Sequence, residues 1–505
     1  MSRARRAAPT VLVAGLLLLA GLWGLGAASP WWDEGWTLSV ARTWVERGFY
    51  GRLQLGQPAA PGLEAAFPVT DLVALSFRLF GVGVWQGRLP IVLCAVGALA
   101  LMFELARRLH GRAAAWATLS LLLLPPHGQL NGLLMGRQVL AELPMLCYLL
   151  AGYASLLLAL RRPIAGLPLA IVCLALGLLA KLQAVPFVLV SLLLPLALLL
   201  LQRRWRPAAI LAAALAGAWF GGYALVAGQR ALVAGHTLPP VALPGLVSVT
   251  ALVPSLALRP VVLRTVLVYA LPQLLGIAVA LWQFAWRERL RLDSPAAIVR
   301  CALLLFAASW MAWFAGFSIG WIRYLLPATF VGSLFAGELL ARLSGGSPRA
   351  AIGRVAAALR ARRPNRPALG GLLALALLAA LLPSGVLALG RGYAAPDGSA
   401  MQAAAFLNTQ TPPGARIETY ETELHFLLDR PYHFPPDQVH VAIDQRVLLG
   451  RDVPLGYDPL ALAPDYVVVG LFGQFSGLYN AIISDRSFRL IRRDGVYEIY
   501  ERIRG

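Results

Sequence analysis

The sequence contains many uninterrupted apolar runs that are long enough to cross a lipid bilayer as a helix. About eleven runs reach or approach the ~20 residues that a crossing needs. They cover residues 10–28, 88–106, 113–126, 139–160, 166–183, 185–201, 207–227, 263–284, 297–317, 322–341 and 368–390. Only 13% of the 505 residues are charged and 59% are hydrophobic, which excludes an ordinary soluble protein. The sequence predicts an α-helical polytopic membrane protein with about eleven transmembrane helices.

Arginines gather in short clusters that fall on every second connection between the apolar runs. The clusters are Arg3/Arg5/Arg6, Arg107/Arg108/Arg112, Arg161/Arg162, Arg203/Arg204/Arg206, Arg287/Arg289/Arg291 and Arg342 through Arg366. Because basic loops of membrane proteins remain in the cytoplasm, we expect a cytoplasmic N-terminus, a first outer loop at about residues 29–87 and an extracytoplasmic C-terminus. The formal charge of +20 is spread over these loops, so the expected partner is the bilayer of the plasma membrane and not a nucleic acid.

The first apolar segment resembles a secretory signal in two respects. It starts with arginines and ends in "GAASP", which is similar to a signal-peptidase site. Its apolar stretch is longer than a usual signal core, and an uncleaved first helix is therefore expected.

The composition changes abruptly near Met401, where charges, prolines and strand-like runs replace leucine and alanine. Strands are predicted in residues 415–421, 438–443 and 465–470, a hairpin in 487–502 turning near Asp494-Gly495, and a helix in "ETELHFLLD". We therefore predict a transmembrane domain in residues 1–391 and a small extracytoplasmic α/β domain in residues 392–505.

A few charged residues lie in the predicted spans or at their outer ends, where an unpaired charge costs free energy. They are Asp33, Glu34, Arg137, Glu142, Lys181 and Arg323. At the cytoplasmic helix ends, Glu104 with Arg108 and Glu338 with Arg342 have the i, i+4 spacing of exposed ion pairs. We interpret those two pairs as structural and the outer group as the candidate site.

Spacing limits what the outer charges can do. Arg137 and Glu142 are five residues apart, which is about 140° around an ideal helix, so each needs another partner. Lys181 and Arg323 could each extend to lipid phosphates at the membrane surface. Alternatively, the three cations converge on an anionic headgroup, since arginine binds phosphate bidentately and lysine binds it as a point charge.

Five stretches in this order carry a resemblance to a known family. They are "WWDEGW" after the first span, "FRLFGVGVWQGRLP" (77–90), "GRQVLAELP" (136–144), "LLAKLQAVP" and "RYLLPA" (323–328). Over nearly its whole length the chain resembles the lipid-sugar-dependent membrane glycosyltransferases of the GT-C fold, which include protein O-mannosyltransferases, the lipid A aminoarabinose transferase and bacterial family 39-like enzymes. It departs from them in Glu142, where many relatives have aspartate, and in lacking a His-Pro-Pro stretch before the second span.

The resemblance implies transfer of a sugar from a polyprenyl-phosphate donor to a hydroxyl of a lipid, glycan or protein acceptor at the outer face. It implies Asp33 and Glu34 as the catalytic acids, with Asp33 as the base and Glu34 orienting a neighbour or facing water. It also implies that Arg137, Lys181 and Arg323 bind the donor phosphate and that Glu142 supports them.

Other residues of the outer loops remain open. His127 and Glu64 are weaker candidates, and the tryptophans of "WWDEGW" either stack on sugar rings or anchor the chain at the membrane interface.

Two other classes of protein stay open. A multi-span transporter or lipid-linked glycan flippase also uses intramembrane charges, but it commonly shows internal repeats and midplane charges, whereas the candidates here lie at outer ends. The second class is a purely structural membrane scaffold, which would give the charges at the outer ends no role. A divalent metal near a donor phosphate is possible, but no ligand spacing demands one, and no cofactor is assigned.

Overall fold

The computed structural model describes residues 3–363, 365–394, 396–484 and 487–503. Within these residues, eight helical stretches are long and apolar enough to cross a membrane. They are Val84–His110, Glu142–Ala159, Pro163–Ala180, Leu182–Leu201, Trp205–Leu232, Pro295–Phe317, Ile322–Arg360 and Arg366–Gln410. The predicted polytopic helical fold is confirmed.

Three predicted spans have a different form. Segment 263–284 forms two helices, Leu256–Tyr269 and Leu271–Arg287, which are bent by 88° at Ala270 and count as a ninth span only if taken together. The first helix, Arg3–Leu22, is not among the eight stretches, and helix Arg112–Leu123 is shorter than a full crossing. A total of eleven would require both of these helices to cross as well.

Several of these stretches divide into separate elements. Helix Arg3–Leu22 opens the chain, and the last two stretches contain helices Leu326–Ser344, Pro348–Arg360, Arg366–Ala394 and Ser399–Gln410. Short helical turns at the connections are Gly128–Leu130, Gly132–Met135, Leu182–Ala184, Leu246–Thr250, Leu256–Leu258 and Ile322–Leu325, and a π-helical turn covers Gln283–Arg287.

Two adjacent spans form a tight antiparallel hairpin that sets the position of two candidate residues. Glu142–Ala159 packs closely along Pro163–Ala180, and a side chain at Gly177 would come within 2.6 Å of Leu149. Because the first helix begins at Glu142 and the second ends at Ala180, Glu142 and Lys181 lie at the same end of the hairpin. Arg161 and Arg162, in the turn, lie at the other end.

The first loop region, residues 29–87, is ordered. It contains helix Trp32–Arg47, a ribbon of Leu53–Gln54 with Gln57–Pro58, and helix Phe67–Phe80. Helix Trp32–Arg47 packs both on Phe67–Phe80 and on the C-terminal domain, so it lies between the bundle and that domain.

The C-terminal domain is a five-stranded sheet with short helices. The strands, in spatial order, are Tyr432–His433, Ile417–Thr419, Tyr466–Val469, Tyr497–Arg502 and Phe488–Asp494. The first three are parallel and the last two form an antiparallel hairpin. Its remaining helices are Thr422–Leu427, Asp437–Val447, Leu471–Ser476 and Asn480–Ser484.

The sheet domain and most of its predicted elements are confirmed, but one predicted strand is wrong. Residues 438–443, "QVHVAI", lie in helix Asp437–Val447. The segment is rich in β-branched residues, but Pro435 and Pro436 precede it at the position where a helix starts, and every residue from 439 to 444 is buried, including His440 and Ala442. A strand would alternate its faces, whereas this segment is enclosed by the fold.

The domain docks onto the bundle through the "WWDEGW" segment. The Trp32 indole N–H donates to the Tyr420 carbonyl at 3.0 Å, and the Trp32 carbonyl accepts a hydrogen bond from the Thr422 hydroxyl. The Trp32 ring stacks on Phe472 with centroids 4.1 Å apart. A Cβ at Gly35 would overlap the backbone of Thr422, so the glycine permits this close approach.

The predicted orientation can be tested on two exposed side chains at opposite ends of the bundle. We expect a cysteine at Gln410, in the C-terminal domain, to react with a membrane-impermeant maleimide added to intact cells, because basic loops stay inside. A cysteine at Ser347, in the arginine-rich connection, should react only after lysis. Both are placed in a variant whose four native cysteines are alanine. The reverse labelling pattern would overturn the orientation.

Candidate active site

A cavity of about 700 Å³ lies between the helical bundle and the C-terminal domain. The bundle contributes the start of helix Trp32–Arg47, residues 139–142, Lys181 and residues 320–324. The C-terminal domain contributes Tyr420, residues of helix Asp437–Val447, and Leu471, Phe472 and Phe475. Four of the six predicted site residues line this cavity: Asp33, Glu142, Lys181 and Arg323.

Asp33 and Arg323 form a two-pronged ion pair at the cavity wall. Arg323 Nη1 donates to Asp33 Oδ2 at 2.5 Å, and Nη2 donates to Oδ1 at 3.0 Å. Both side chains are largely buried but retain some exposure. Asp33 lies in the first turn of its helix, while Arg323 lies in the short turn that opens the tenth predicted span. The carboxylate and its cation therefore come from segments 290 residues apart.

Lys181 and Glu142 form the second ion pair of the cavity. Lys181 Nζ donates to Glu142 Oε1 at 2.7 Å, as the hairpin geometry allows. Lys181 Nζ lies 5.2 Å from the centroid of the Tyr324 ring, and Arg323 Cζ lies 5.3 Å from the same centroid. The predicted convergence of Lys181 and Arg323 is thus seen directly, over a shared aromatic ring.

Lys181 also has a signal in the sequence that the pattern analysis passed over. It is the only lysine in the chain, and the other 43 of the 44 basic residues are arginine. An ammonium is a compact, strongly hydrated point charge, and arginine cannot replace it at a confined site without changing the geometry. This is the sequence feature by which Lys181 could have been singled out.

Glu34 does not face the cavity. Its side chain is 0% exposed, and it accepts hydrogen bonds from Arg88 Nε at 2.9 Å and Nη2 at 2.7 Å. It also accepts from the backbone N–H groups of Val139 at 2.8 Å and Trp31 at 3.1 Å. Arg88 donates further to carbonyls of residues 25–29. Glu34 therefore joins residues 25–34 to Arg88 and Val139 beside the site, and Arg88, within "WQGRLP", was not recognised as its partner from the sequence.

Arg137 lies apart from the other two cations. It donates to the carbonyls of Ala20, Trp23 and Gly24 at the end of the first helix, and its guanidinium lies 4.5 Å from the Tyr393 ring centroid. It lines a neighbouring cavity of about 450 Å³. The structure thus gives Arg137 and Glu142 separate partners, as their spacing predicted, but it does not bring Arg137 to the Asp33 cavity.

The weaker candidates have structural contacts. Glu64 pairs with Arg52 at 3.2 Å, and Arg52 also pairs with Asp437 at 2.5 Å, which ties the first loop to the C-terminal domain. His127 caps the turn Gly128–Leu130 through Nδ1. The predicted structural pairs Glu104–Arg108 and Glu338–Arg342 are both present.

The C-terminal domain supplies two polar side chains that sequence analysis missed, His440 and Asp444. They are four residues apart on helix Asp437–Val447, so they share a face, and His440 Nε2 lies 3.5 Å from Asp444 Oδ2. Burial raises the pKa of the Asp444 carboxyl to about 7 and lowers the pKa of the His440 imidazole to about 4. The nearby Asp33 charge raises the pKa of Asp444 further, and Arg323 opposes it.

The cavity lies at the end of the bundle opposite the arginine clusters. Helix Glu142–Ala159 begins at the cavity and runs to Arg161, and helix Pro295–Phe317 runs from beside Arg291 to the segment that carries Arg323. Among the residues that the structure describes, there is no group of three or more His, Cys, Asp or Glu side chains that could hold a metal ion.

Comparisons with known proteins agree with this architecture. The family model described as dolichyl-phosphate-mannose-protein mannosyltransferase matches residues 68–221. No curated protein sequence matches the chain. Two solved structures of ArnT from Cupriavidus metallidurans are similar over nearly both full chains. The one bound to undecaprenyl phosphate has a TM-score of 0.63 at 17% identity, covering 99% of this chain and 98% of that one. The apo form has a TM-score of 0.61 at 18% identity, with 98% of each chain covered.

A third similar structure is the oligosaccharyltransferase of Archaeoglobus fulgidus in its apo form. Its TM-score is 0.55 at 12% identity, and the match covers 92% of this chain and 69% of that one. These matches establish the GT-C fold, including the C-terminal domain, and they confirm the resemblance read from the sequence.

Proposed function

We propose that this polytopic membrane protein of the GT-C fold is a glycosyltransferase that moves a sugar from a polyprenyl-phosphate donor to an acceptor hydroxyl. The observation that carries the proposal is the Asp33–Arg323 pair, which opens onto a cavity lined by a second cation, Lys181. The matched family acts on a polyprenyl-type phosphate sugar by its description, and the similar ArnT structure contains undecaprenyl phosphate.

The reaction is a single displacement at the anomeric carbon. The acceptor oxygen forms a bond to that carbon, the bond from the carbon to the phosphate oxygen breaks, and the acceptor proton passes to Asp33. The electron pair leaves on the polyprenyl phosphate, which is a weak base and needs charge neutralisation more than a proton. One carboxylate is therefore sufficient, and in-line attack inverts the anomeric configuration.

Arg323 has two roles in this scheme, one before the donor binds and one after. Without donor, its two N–H groups hold the Asp33 carboxylate. A donor phosphate is a diester with a single charge and offers a similar pair of acceptor oxygens, on which further negative charge develops as the sugar leaves, so the guanidinium turns to the phosphate. Asp33 then loses its strongest partner and becomes a better base at the moment when the donor is in place.

The other acidic and basic residues support this centre. Glu142 holds Lys181 over the Tyr324 ring, ready to receive the phosphate. Arg137 is already occupied by three backbone carbonyls and the Tyr393 ring, so we assign the phosphate to Lys181 and Arg323 alone.

The site is proposed to face outward from the plasma membrane, because it lies opposite the arginine clusters. Its acceptor is then a lipid, a glycan or a protein at that face, and the transferred sugar is a hexose or a pentose.

The test is transfer by the purified full-length protein from a panel of undecaprenyl-phosphate-linked sugars to glycan, lipid and peptide acceptors. We expect at least one donor to release free undecaprenyl phosphate in step with a glycosylated acceptor. Translocation of a lipid-linked sugar across proteoliposomes without any transfer would contradict the proposal and favour a transporter.

Replacing the two cavity cations should weaken use of the donor. We expect Lys181→Ala and Arg323→Ala each to raise the donor KM, because the loss of a charge-assisted phosphate contact costs roughly 1.5–3 kcal/mol, or about 10- to 150-fold. Lys181→Arg keeps the charge but should still be impaired, since the guanidinium is larger and planar.

Arg264→Ala is the matched control, because Arg264 is exposed and lies outside the cavity. Its donor KM should equal that of the wild type. Unchanged donor kinetics in both cavity variants would show that Lys181 and Arg323 do not bind the donor phosphate and only form ion pairs with Glu142 and Asp33.

A further inference from the structure

The Asp33 cavity is lined by buried polar atoms that have no partner. Within the described part of the chain, the indole nitrogens of Trp31 and Trp36 and the Oδ2 of Asp444 make no hydrogen bond. All three side chains line the same cavity. His440 Nε2, at 3.5 Å from Asp444 Oδ2, is too distant for a good hydrogen bond.

Such atoms are uncommon, because a buried donor or acceptor without a partner costs about 1–3 kcal/mol. Two donors and one acceptor around a single cavity indicate a ligand that carries both acceptors and donors. A sugar ring has this chemistry, since each hydroxyl accepts and donates. The phosphate assigned to Lys181 and Arg323 lacks this chemistry, because an ionised phosphate has no hydrogen to donate to Asp444.

The same wall also offers flat apolar surface. Trp32 and Phe472 are stacked, and the Trp36 ring meets Trp32 edge-on with centroids 4.5 Å apart. Phe475 lies on this side of the cavity and is exposed. Aromatic rings of this kind present apolar faces to the C–H side of a sugar ring while the polar atoms bind its hydroxyls.

We propose that Asp444 of the C-terminal domain, together with the indole N–H groups of Trp31 and Trp36, forms a hydroxyl-binding subsite for a sugar ring. This inference rests on the proposed function and extends it: the C-terminal domain completes the substrate cavity. Asp444 is a positioning residue, which holds the sugar while Asp33 and the two cations act on the reacting atoms. The ring belongs either to the donor or to a glycan acceptor.

Binding can be measured without any turnover. Purified full-length protein is titrated with a panel of methyl glycosides of hexoses and pentoses, and titration calorimetry measures the binding. At about pH 8, where the Asp444 carboxyl is mostly ionised, we expect saturable binding to the wild type and roughly tenfold weaker binding to Asp444→Asn, which loses the charged acceptor. Trp36→Phe, which keeps a ring but removes the N–H, should bind about 3- to 10-fold more weakly.

A measurement of thermal stability distinguishes a sugar-binding role of these residues from a purely structural role. Because Oδ2 of Asp444 is buried without a hydrogen bond, the melting temperature of sugar-free Asp444→Asn should equal or exceed that of the wild type, whereas the loss of a structural carboxylate would lower it. Asp452→Asn, an exposed aspartate of the same domain outside the cavity, is the control and should bind sugar as the wild type does.

The transfer assay then identifies the source of the ring. A raised donor KM in Asp444→Asn with nearly unchanged kcat assigns the subsite to the donor sugar, and a raised acceptor KM assigns it to a glycan acceptor. A wild type that binds no glycoside, or variants with wild-type affinity and both KM values unchanged, would overturn the subsite. A wild type that binds sugar but never transfers it would refute the proposed function and leave the subsite standing.

Discussion

Asp33→Asn should lower sugar transfer by about 10²–10⁴-fold, which is the usual scale for the loss of a general base. Asparagine keeps the shape of the side chain and can still accept one hydrogen bond from Arg323, so the variant should fold and bind the donor. The loss should therefore fall on kcat. The measurement is transfer by purified protein at saturating donor, with donor binding followed separately.

Asp429→Asn is the matched control for this substitution. Asp429 forms an aspartate–arginine pair with Arg42 at 2.5 Å, as Asp33 does with Arg323, but it is more exposed and lies outside the cavity. Its transfer rate should equal that of the wild type. An Asp33→Asn enzyme of near wild-type rate would refute the assignment of Asp33 as the base.

Glu34→Ala should act mainly on stability, although Glu34 is adjacent to Asp33. Glu34 and Arg88 form a buried ion pair that also binds backbone groups of residues 25–31 and of Val139. Removing one partner leaves an uncompensated buried charge, and we expect a loss of about 3–5 kcal/mol in the free energy of unfolding. Equilibrium unfolding in mixed micelles measures this free energy. Arg88→Ala should lose a similar amount of stability.

Two comparisons make the Glu34 prediction specific. Arg107→Ala breaks an exposed pair with Glu104 and should cost less than about 1 kcal/mol. Glu34→Gln, normalised to folded protein, should lower transfer far less than Asp33→Asn. A Glu34→Ala protein as stable as the wild type, or a Glu34→Gln enzyme as slow as Asp33→Asn, would show that Glu34 takes part in the chemistry.

The membrane fold and much of the C-terminal sheet could be predicted because their signals are local. A span is a run of apolar residues along one helix, and the strand Tyr466–Val469 is a run of β-branched residues. The helix Asp437–Val447 was missed because its β-branched residues favour a strand locally. Its burial between the sheet and the bundle is decided by the rest of the fold, and with it the contribution of His440 and Asp444 to the cavity.

By itself, the sequence determined which segments are apolar, where the arginines cluster and which acids and cations stand out between them. It also predicted that Asp33 and Glu34 point in different directions, since neighbouring side chains on a helix lie about 100° apart. Only the tertiary structure decided their partners, Arg323 and Arg88, and left Arg137 outside the cavity. The physical reason is that hydropathy and helical periodicity act over a few residues, whereas an ion pair between residues 33 and 323 depends on how every intervening helix packs.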